Sequence, residues 1–194
     1  GRGGSAEVYE VTKDGRRFAI KIVSARNTKH LEGFRQEVEL LERFSKRPEI
    51  IRCYGSRALD LKLYILLEYA ECDFHQYAKR FPQGMALKTI AHCWSQMLAA
   101  VKIIHEANIV HFDLKPANFL LSDFGLARAV QPDMTHISRN EQCGTIRYMA
   151  PEAFYQPEEY FSSMKMTPGC DVWSLGIILY ALIYLKTPYE HFEG

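Results

Sequence analysis

The chain has 194 residues, of which 47% are hydrophobic and 24% are charged. This composition is ordinary for a globular protein and too apolar for an intrinsically disordered one, and the length suffices for one domain or two small lobes around an apolar core. The formal net charge is +1, which provides no general attraction to nucleic acid or to an anionic membrane.

Cysteine usage and the apolar runs limit the class further. The five cysteines include no C-x-x-C pair, which argues against a zinc site or a disulfide framework and favours a reducing compartment. The longest apolar run, Leu175 to Leu185, is too short to cross a bilayer. We expect no nucleic-acid or membrane partner, and the sequence leaves the oligomeric state open. No signal peptide is visible, although the abrupt beginning suggests that the true start is absent.

The first third of the chain predicts strands and one helix. Segments 8–11 and 16–23 flank Asp14-Gly15, which is a strong hairpin signal. Segments 50–55 and 61–70 predict two further strands. Between the hairpin and these two strands, apolar residues recur at steps of three and four, which predicts a helix. These residues are Leu31, Phe34, Val38 and Leu41.

From about Asp73 onward the pattern is helical. Segment 89–108 predicts a helix whose apolar face consists of Ile90, Trp94, Met97, Leu98, Val101 and Ile104. Segment 171–185 is apolar nearly all round, which predicts a helix at the centre of a helical core. Segment 123–152 is predicted to be irregular, and irregular segments of that length are usually functional or disordered. The connection between the sheet-rich and helical parts is expected at 68–73.

The glycine-rich opening, with Gly1, Gly3 and Gly4, leads into the first predicted hairpin. Glycines let a backbone approach phosphates closely and offer unobstructed N–H donors. Alone this signal is weak, because a glycine-rich turn is more often only a turn. A dinucleotide fingerprint would also need a helix directly after the glycines, whereas a strand follows here.

Lys21 shares its predicted strand face with Ala19 and Val23. A lysine on an edge strand is commonly a solvated charge, but these neighbours are small and apolar, so the face is expected to line a cleft. Glu37 projects from the core-facing side of its helix. The periodicity therefore allows a Lys21–Glu37 ion pair, with two separately solvated charges as the alternative.

The segment HFDLKPAN brings Asp113, Lys115 and Asn118 within six residues, and Pro116 prevents a regular helix there. An aspartate can accept a proton from a hydroxyl, a lysine can hold a phosphate, and an asparagine oxygen can ligate Mg²⁺. The alternative is a polar turn whose side chains bond nearby backbone. Asp123 in SDFG is a second candidate oxygen ligand, again with a turn as the alternative. Each of these motifs alone could be only a turn, but together and in this order they favour an active site.

Taken in order, these motifs resemble those of the eukaryotic protein kinases. The matching pieces are GRGGSAEV, FAIK, Glu37 in QEVELL, HFDLKPAN, DFG, GTIRYMAPE and DVWSLG, and they span nearly the whole chain. The resemblance implies an α+β bilobal fold, with a β-rich N-terminal lobe containing one helix at 1–69 and a larger, mainly helical C-terminal lobe at 70–194. Both ends of the domain are expected to be incomplete.

The resemblance also implies ATP and Mg²⁺ as cofactors and a role for each catalytic residue. Lys21 would position the α- and β-phosphates and pair with Glu37. Asp113 would orient the substrate hydroxyl and accept its proton, and Lys115 would steady the transferred phosphoryl group. The implied Mg²⁺ ligands are Asn118 and Asp123.

The implied nucleotide pocket lies between the lobes. The adenine would bind the backbone of Glu68, Tyr69 and Ala70, with Leu67 as the gatekeeper behind it. The other implied nucleotide-binding positions are Gly1, Gly3, Gly4, Val8, Ala19, Lys21 and Leu120.

DLKPAN together with Thr145 in GTIRY looks like a serine/threonine kinase. A closer resemblance, carried by GGSAEV, IVHFDLKPANFL, QPDMT and TPGCDVWSLGIILY, is to the monopolar-spindle (TTK-type) kinases of the spindle assembly checkpoint. It implies an enzyme, often described as dual-specificity, that phosphorylates kinetochore proteins and its own activation segment. The implied location is the nucleus or cytoplasm, at the kinetochore or spindle.

One departure from the kinase pattern is Phe112, which replaces the arginine that many kinases use to grip a phosphorylated activation segment. Any activating phosphate would need other cations, such as Arg128, Arg139 or Lys29. The candidate phosphorylation sites are Thr135, Ser138 and Thr145.

A second departure is the short link between Asn118 and Asp123, which four residues separate. Kinases place a β-hairpin there, and about eight of its residues are expected to be missing, with the paired strands that support the ligands. Five Cα steps reach at most about 17 Å, so the ligands could still converge.

The chain also stops after its apolar helix, without an arginine to pair with Glu152, which suggests a fragment. A non-catalytic pseudokinase or scaffold therefore remains the alternative function; a small-molecule kinase is weakened by GTIRYMAPE.

Overall fold

A computed structural model of the chain describes residues 2–3, 6–122, 125–129, 146–154 and 167–189. The N-terminal part is an antiparallel sheet of five strands in the order β1-β2-β3-β5-β4. Its strands are β1 (Arg2–Gly3), β2 (Ala6–Lys13), β3 (Arg16–Ser24), β4 (Cys53–Leu59) and β5 (Lys62–Glu68).

The predicted β2–β3 hairpin is confirmed. Asp14 and Gly15 connect the two strands with φ angles of 51° and 73°. Both angles are left-handed, as the tight turn that matches the twist of a hairpin requires.

Helix α1 (Thr28–Phe44) packs on this sheet. Asn27 caps its first turn, because the Asn27 Oδ1 accepts a hydrogen bond from the His30 N–H at 2.8 Å. The buried side chains of α1 are the four that the periodicity predicts: Leu31, Phe34, Val38 and Leu41.

The strand predicted at 50–55 was placed too early. The structure begins β4 at Cys53, and the pairing of β4 with β5 shifts between Cys53 and Gly55, where Gly55 has a φ of 143°. Ile50 and Ile51 enter the core from the loop before the strand, at 3% and 0% exposure. Their hydrophobicity therefore reflects burial in the core.

The second part of the chain contains a small sheet, in the order β6-β7-β8, and the other described helices. Its elements are β6 (Cys72–Asp73), α2 (Phe74–Ala78), α3 (Leu87–Glu106), a 3₁₀ turn (Pro116–Asn118), β7 (Phe119–Ser122), β8 (Gly125–Ala129), a second 3₁₀ turn (Ile146–Tyr148), α4 (Pro151–Phe154) and α5 (Gly169–Tyr184). The prediction of an irregular segment at 123–152 is therefore wrong where β8, the second 3₁₀ turn and the start of α4 lie. The predicted lobe boundary after residue 69 falls between β5 and β6 and stays a prediction.

Helix α3 buries four of the six residues predicted for its apolar face: Ile90, Met97, Val101 and Ile104. Trp94 is only half-buried and Leu98 is 37% exposed, whereas Cys93 and Ala100 are fully buried. The reason is that small residues fill the face against the core, so the most hydrophobic residues do not mark its centre.

Helix α5 was predicted to lie at the centre of a helical core, and the described residues cover one side of it. It packs against α3 on one side, where Leu175 and Ile178 are 2% and 0% exposed. Its other side leaves Val172 62% exposed and Ile183 44% exposed.

Among the helices described, none is both long and apolar enough to span a membrane.

Candidate active site

The loop from His111 to Asn118 connects α3 to β7 and brings the predicted catalytic residues together. Asp113 is 8% exposed, and its Oδ2 lies 2.7 Å from the Lys115 Nζ. The Asn118 side chain closes the loop from the other end, because its Nδ2 donates to the Asp113 backbone carbonyl at 2.7 Å. Three residues that are separate in sequence thus form one polar cluster.

The second carboxylate oxygen of Asp113 has a different environment. Asp113 Oδ1 is buried and accepts no hydrogen bond within the described part of the chain. A buried polar atom without a partner is costly and calls for an explanation, of which a catalytic role is one. This oxygen is therefore the natural acceptor for a donor that arrives with a ligand.

The loop is held by Asp171 in the first turn of α5, which is 0% exposed. Its carboxylate accepts hydrogen bonds from the backbone N–H groups of His111 at 2.8 Å and Phe112 at 2.9 Å. The His105 Nε2 contacts the same carboxylate at 2.8 Å. Sequence reasoning missed this support for the loop; the available signal was one acidic residue in a helix that is otherwise nearly all apolar.

Phe112 adopts a left-handed backbone conformation, with a φ of 65°. This conformation costs a non-glycine residue about 1–2 kcal/mol. Because its N–H donates to Asp171, the buried carboxylate stabilises the strained conformation next to Asp113. The consequence is that Asp171 fixes the direction of the chain at Asp113.

The predicted nucleotide-binding residues of the first sheet share one face. Val8 pairs with Lys21, and Ala19 pairs with Leu67. Directly opposed residues of antiparallel strands point to the same side, and Ala19 and Lys21 are two positions apart on β3. Leu67 is 3% exposed, so it lies at the back of this face.

Glu37 has the burial that the periodicity of α1 predicts. It is half-buried, whereas Glu39 and Glu42 are exposed. Lys21 is half-buried as well. The ion pair between Lys21 and Glu37 stays a prediction.

The connection predicted at 68–73, called the hinge from here on, contains backbone donors that have no hydrogen-bond partner among the described residues. Its flanking residues, Glu68 and Glu71, each donate their backbone N–H to a backbone carbonyl at 2.8 Å. Between them, Tyr69 and Ala70 donate their N–H groups to no partner in the described ranges. An adenine base is the kind of ligand that such a pair of adjacent peptide groups can bind.

Several predicted residues lie outside the described residues, and their roles stay predictions: Gly1, Gly4, Asp123, Thr135, Ser138 and Thr145. Gly3 lies in β1, and Leu120 is half-buried in β7.

The hairpin expected to be missing before the DFG motif is replaced by a shorter one. Ser122 of β7 pairs with Gly125 of β8, which is the glycine of the motif itself. β7 also pairs with β6 on its other edge. The prediction that the segment loses its paired strands is therefore wrong, because residues after the motif supply the second strand.

The described residues include one of the two predicted Mg²⁺ ligands, Asn118. The Asn118 Nδ2 is engaged with the loop backbone, which leaves its amide oxygen as the atom able to bind a hard cation. No cluster of three His, Cys, Asp or Glu side chains suited to a metal occurs among the residues described. The second predicted ligand, Asp123, lies outside them.

Comparison with known proteins gives the family. The protein kinase domain model matches residues 1–194. Serine/threonine-protein kinase mph1 of Schizosaccharomyces pombe is 37% identical over 100% of this chain and 31% of its own length. Serine/threonine-protein kinase MPS1 of Encephalitozoon cuniculi is 36% identical over 100% of the chain and 33% of its own length. Mouse dual specificity protein kinase TTK is 36% identical over 98% of the chain and 24% of its own length.

The chain thus spans about a third or less of these curated relatives. Two alignments cover all 194 residues of the chain and extend over 202 and 211 positions, so at least eight positions of each relative have no counterpart here. The relatives' names also confirm the resemblance to the TTK-type kinases. Because the family model matches the chain from residue 1 to residue 194, the chain belongs to the protein kinase family.

Proposed function

We propose that the chain is the catalytic domain of a protein serine/threonine kinase that transfers the γ-phosphate of ATP to protein hydroxyls. The observation that carries the proposal is the buried Asp113 Oδ1, which has no partner among the described residues. A substrate hydroxyl can donate to this oxygen and lose its proton to it as the hydroxyl oxygen attacks phosphorus.

The neighbouring groups suit the rest of the reaction. The Lys115 Nζ, 2.7 Å from the other Asp113 oxygen, can move its charge to the transferred phosphoryl group when substrates bind. When bound, Mg²⁺ would neutralise phosphate charge, with Asn118 holding it on the described side of the site. Catalysis is then positioning and electrostatic stabilisation, without a covalent enzyme intermediate.

The nucleotide would occupy the cleft behind the hinge. The adenine would lie against Val8, Ala19 and Leu120 and accept hydrogen bonds from the free backbone at Tyr69 and Ala70. Lys21, on the same sheet face as Val8 and Ala19, would reach the phosphates.

The test is phosphate transfer from Mg·ATP to casein by the full-length protein that contains this chain. Asp113→Asn should abolish most labelling, because the amide cannot accept the proton. Asp60→Asn is the matched control, since Asp60 lies in the turn between β4 and β5, at the end of β5 opposite to Glu68, and asparagine tolerates its left-handed φ of 54°. Equal residual labelling by the wild type and Asp113→Asn would contradict the proposal.

The shortened hairpin favours a second candidate, a non-catalytic scaffold with the kinase fold. Ser122 pairs directly with Gly125, where a kinase would have a longer β-hairpin. A scaffold predicts nucleotide binding at the hinge without transfer. Measuring both in the same preparation separates the two functions.

We further propose a role in the spindle checkpoint, with kinetochore proteins as substrates and a location in the nucleus or cytoplasm. The names mph1, MPS1 and TTK among the relatives support this role. In cells treated with a microtubule poison, the wild type should restore mitotic arrest after depletion of the protein and Asp113→Asn should not. Arrest restored equally by both would argue against a catalytic checkpoint role. Phosphoamino-acid analysis of the labelled substrate tests dual specificity.

A further inference from the structure

We infer that Arg17 is a positioning residue for the nucleotide base, which it orients by stacking on the hinge residue Tyr69. This inference rests on the proposed function, because it assumes that the hinge binds adenine. It adds a residue outside the motifs that suggested the site.

The register of the sheet brings the two residues together. Phe18 of β3 pairs with Glu68 at the end of β5, so the preceding residue of β3, Arg17, faces the residue that follows β5, Tyr69. The Arg17 Cζ lies 4.2 Å from the centroid of the Tyr69 ring. A guanidinium at this distance over an aromatic face is attracted by the ring quadrupole.

The hinge backbone needs such a support. Glu68 and Glu71 are fixed by their backbone hydrogen bonds, but Tyr69 and Ala70 donate to nothing within the described residues. On this inference, the orientation of the intervening peptide follows how the Tyr69 side chain is held. Since that side chain stacks under Arg17, the stack sets the direction of the free donors.

The magnitude is modest and measurable. Arg17 is exposed and Tyr69 is half-buried, so the pair belongs to the weaker range of cation–π interactions. Loss of such a pair corresponds to a change of about two- to fivefold in an equilibrium constant. We therefore expect Arg17→Ala to weaken adenosine and ADP binding by about that factor.

The experiment is titration calorimetry on the purified full-length protein with adenosine, ADP and tripolyphosphate as probes. Arg17→Ala should weaken adenosine and ADP by the same factor and leave tripolyphosphate unchanged, because that probe lacks the base. In steady-state kinetics the change should appear in KM for ATP rather than in kcat. Arg16→Ala is the matched control, being the exposed neighbouring arginine on β3.

A double-mutant cycle isolates the stack. Tyr69→Leu should reproduce the loss, Tyr69→Phe should lose less because it keeps the ring, and Arg17→Ala combined with Tyr69→Leu should lose no more than either alone. Unchanged affinity in Arg17→Ala, additive losses, or an equal loss for tripolyphosphate would overturn the inference alone. No adenosine or ADP binding by the wild type would overturn the proposed function and this inference with it.

Discussion

The buried carboxylate of Asp171 should control two properties: the stability of the domain and the geometry of the loop at 111–118, which is the proposed catalytic loop. It accepts two backbone hydrogen bonds, from His111 at 2.8 Å and Phe112 at 2.9 Å, and is 0% exposed. Hydrogen bonds to charged groups contribute about 1.5–3 kcal/mol each. Asp171→Asn keeps one oxygen and turns an NH₂ donor toward an N–H donor, so at least one of the two bonds is lost.

We expect Asp171→Asn to lower the free energy of unfolding by about 1.5–3 kcal/mol. For a chain of this size that is a fall in Tm of roughly 3–12 °C. The kcat for phosphate transfer should fall as well, because Phe112 is no longer held in its left-handed conformation beside Asp113. Thermal unfolding and steady-state kinetics on the same preparations measure both effects.

The matched control is Ser174→Ala on the same helix. Ser174 is buried, and its hydroxyl donates to the Tyr148 carbonyl at 2.7 Å, away from the catalytic loop. It should lower stability by only about 0.5–1.5 kcal/mol and leave kcat unchanged. An unchanged Tm in Asp171→Asn, or a fall in kcat no larger than that of Ser174→Ala, would refute the reasoning.

Three further predictions follow from burial, capping and ionisation. Met97→Ala should lower the free energy of unfolding in urea by about 2–5 kcal/mol, and Leu98→Ala by well under half of that, because Met97 is 0% and Leu98 37% exposed. Similar losses in the two variants would mean that the buried face of α3 is misassigned. Asn27→Ala should cost about 0.5–2 kcal/mol through loss of the α1 cap, whereas Asn27→Asp should retain most of the stability; equal losses would contradict the capping role. Burial raises the pKa of the Cys93 thiol above its ordinary value of 9.0, so the folded state keeps a proton that the unfolded chain releases. Stability should therefore fall as pH rises above 9.0, and less steeply in Cys93→Ala; parallel slopes in pH-dependent urea unfolding would argue against this.

The local elements could be predicted from the sequence because their signals are local. The period of α1 identified its four buried residues, and Asp14-Gly15 marked a turn whose left-handed angles suit those two residues. The clustering of Asp113, Lys115 and Asn118 also followed from a short segment with a proline in it. In each case neighbouring residues determine the conformation.

The features that could not be predicted depend on contacts between distant segments. Asp171 supports the catalytic loop across 60 residues of sequence, and no periodicity reports such a bond. Strand β8 forms because the residues after the DFG motif pair with β7, an outcome that the motif itself does not indicate. The exposed face of α5, with Val172, depends on which neighbours pack there, whereas hydrophobicity alone predicted burial on every side.

The most direct test of the central claim is a single-turnover measurement with γ-labelled ATP bound to the full-length protein and a protein acceptor in excess. If the site built around Asp113 is catalytic, label should pass from bound ATP to the acceptor in the wild type, and about 10²- to 10⁴-fold more slowly in Asp113→Asn. Bound ATP that stays intact in the wild type, or that is consumed equally fast in both proteins, would contradict the account.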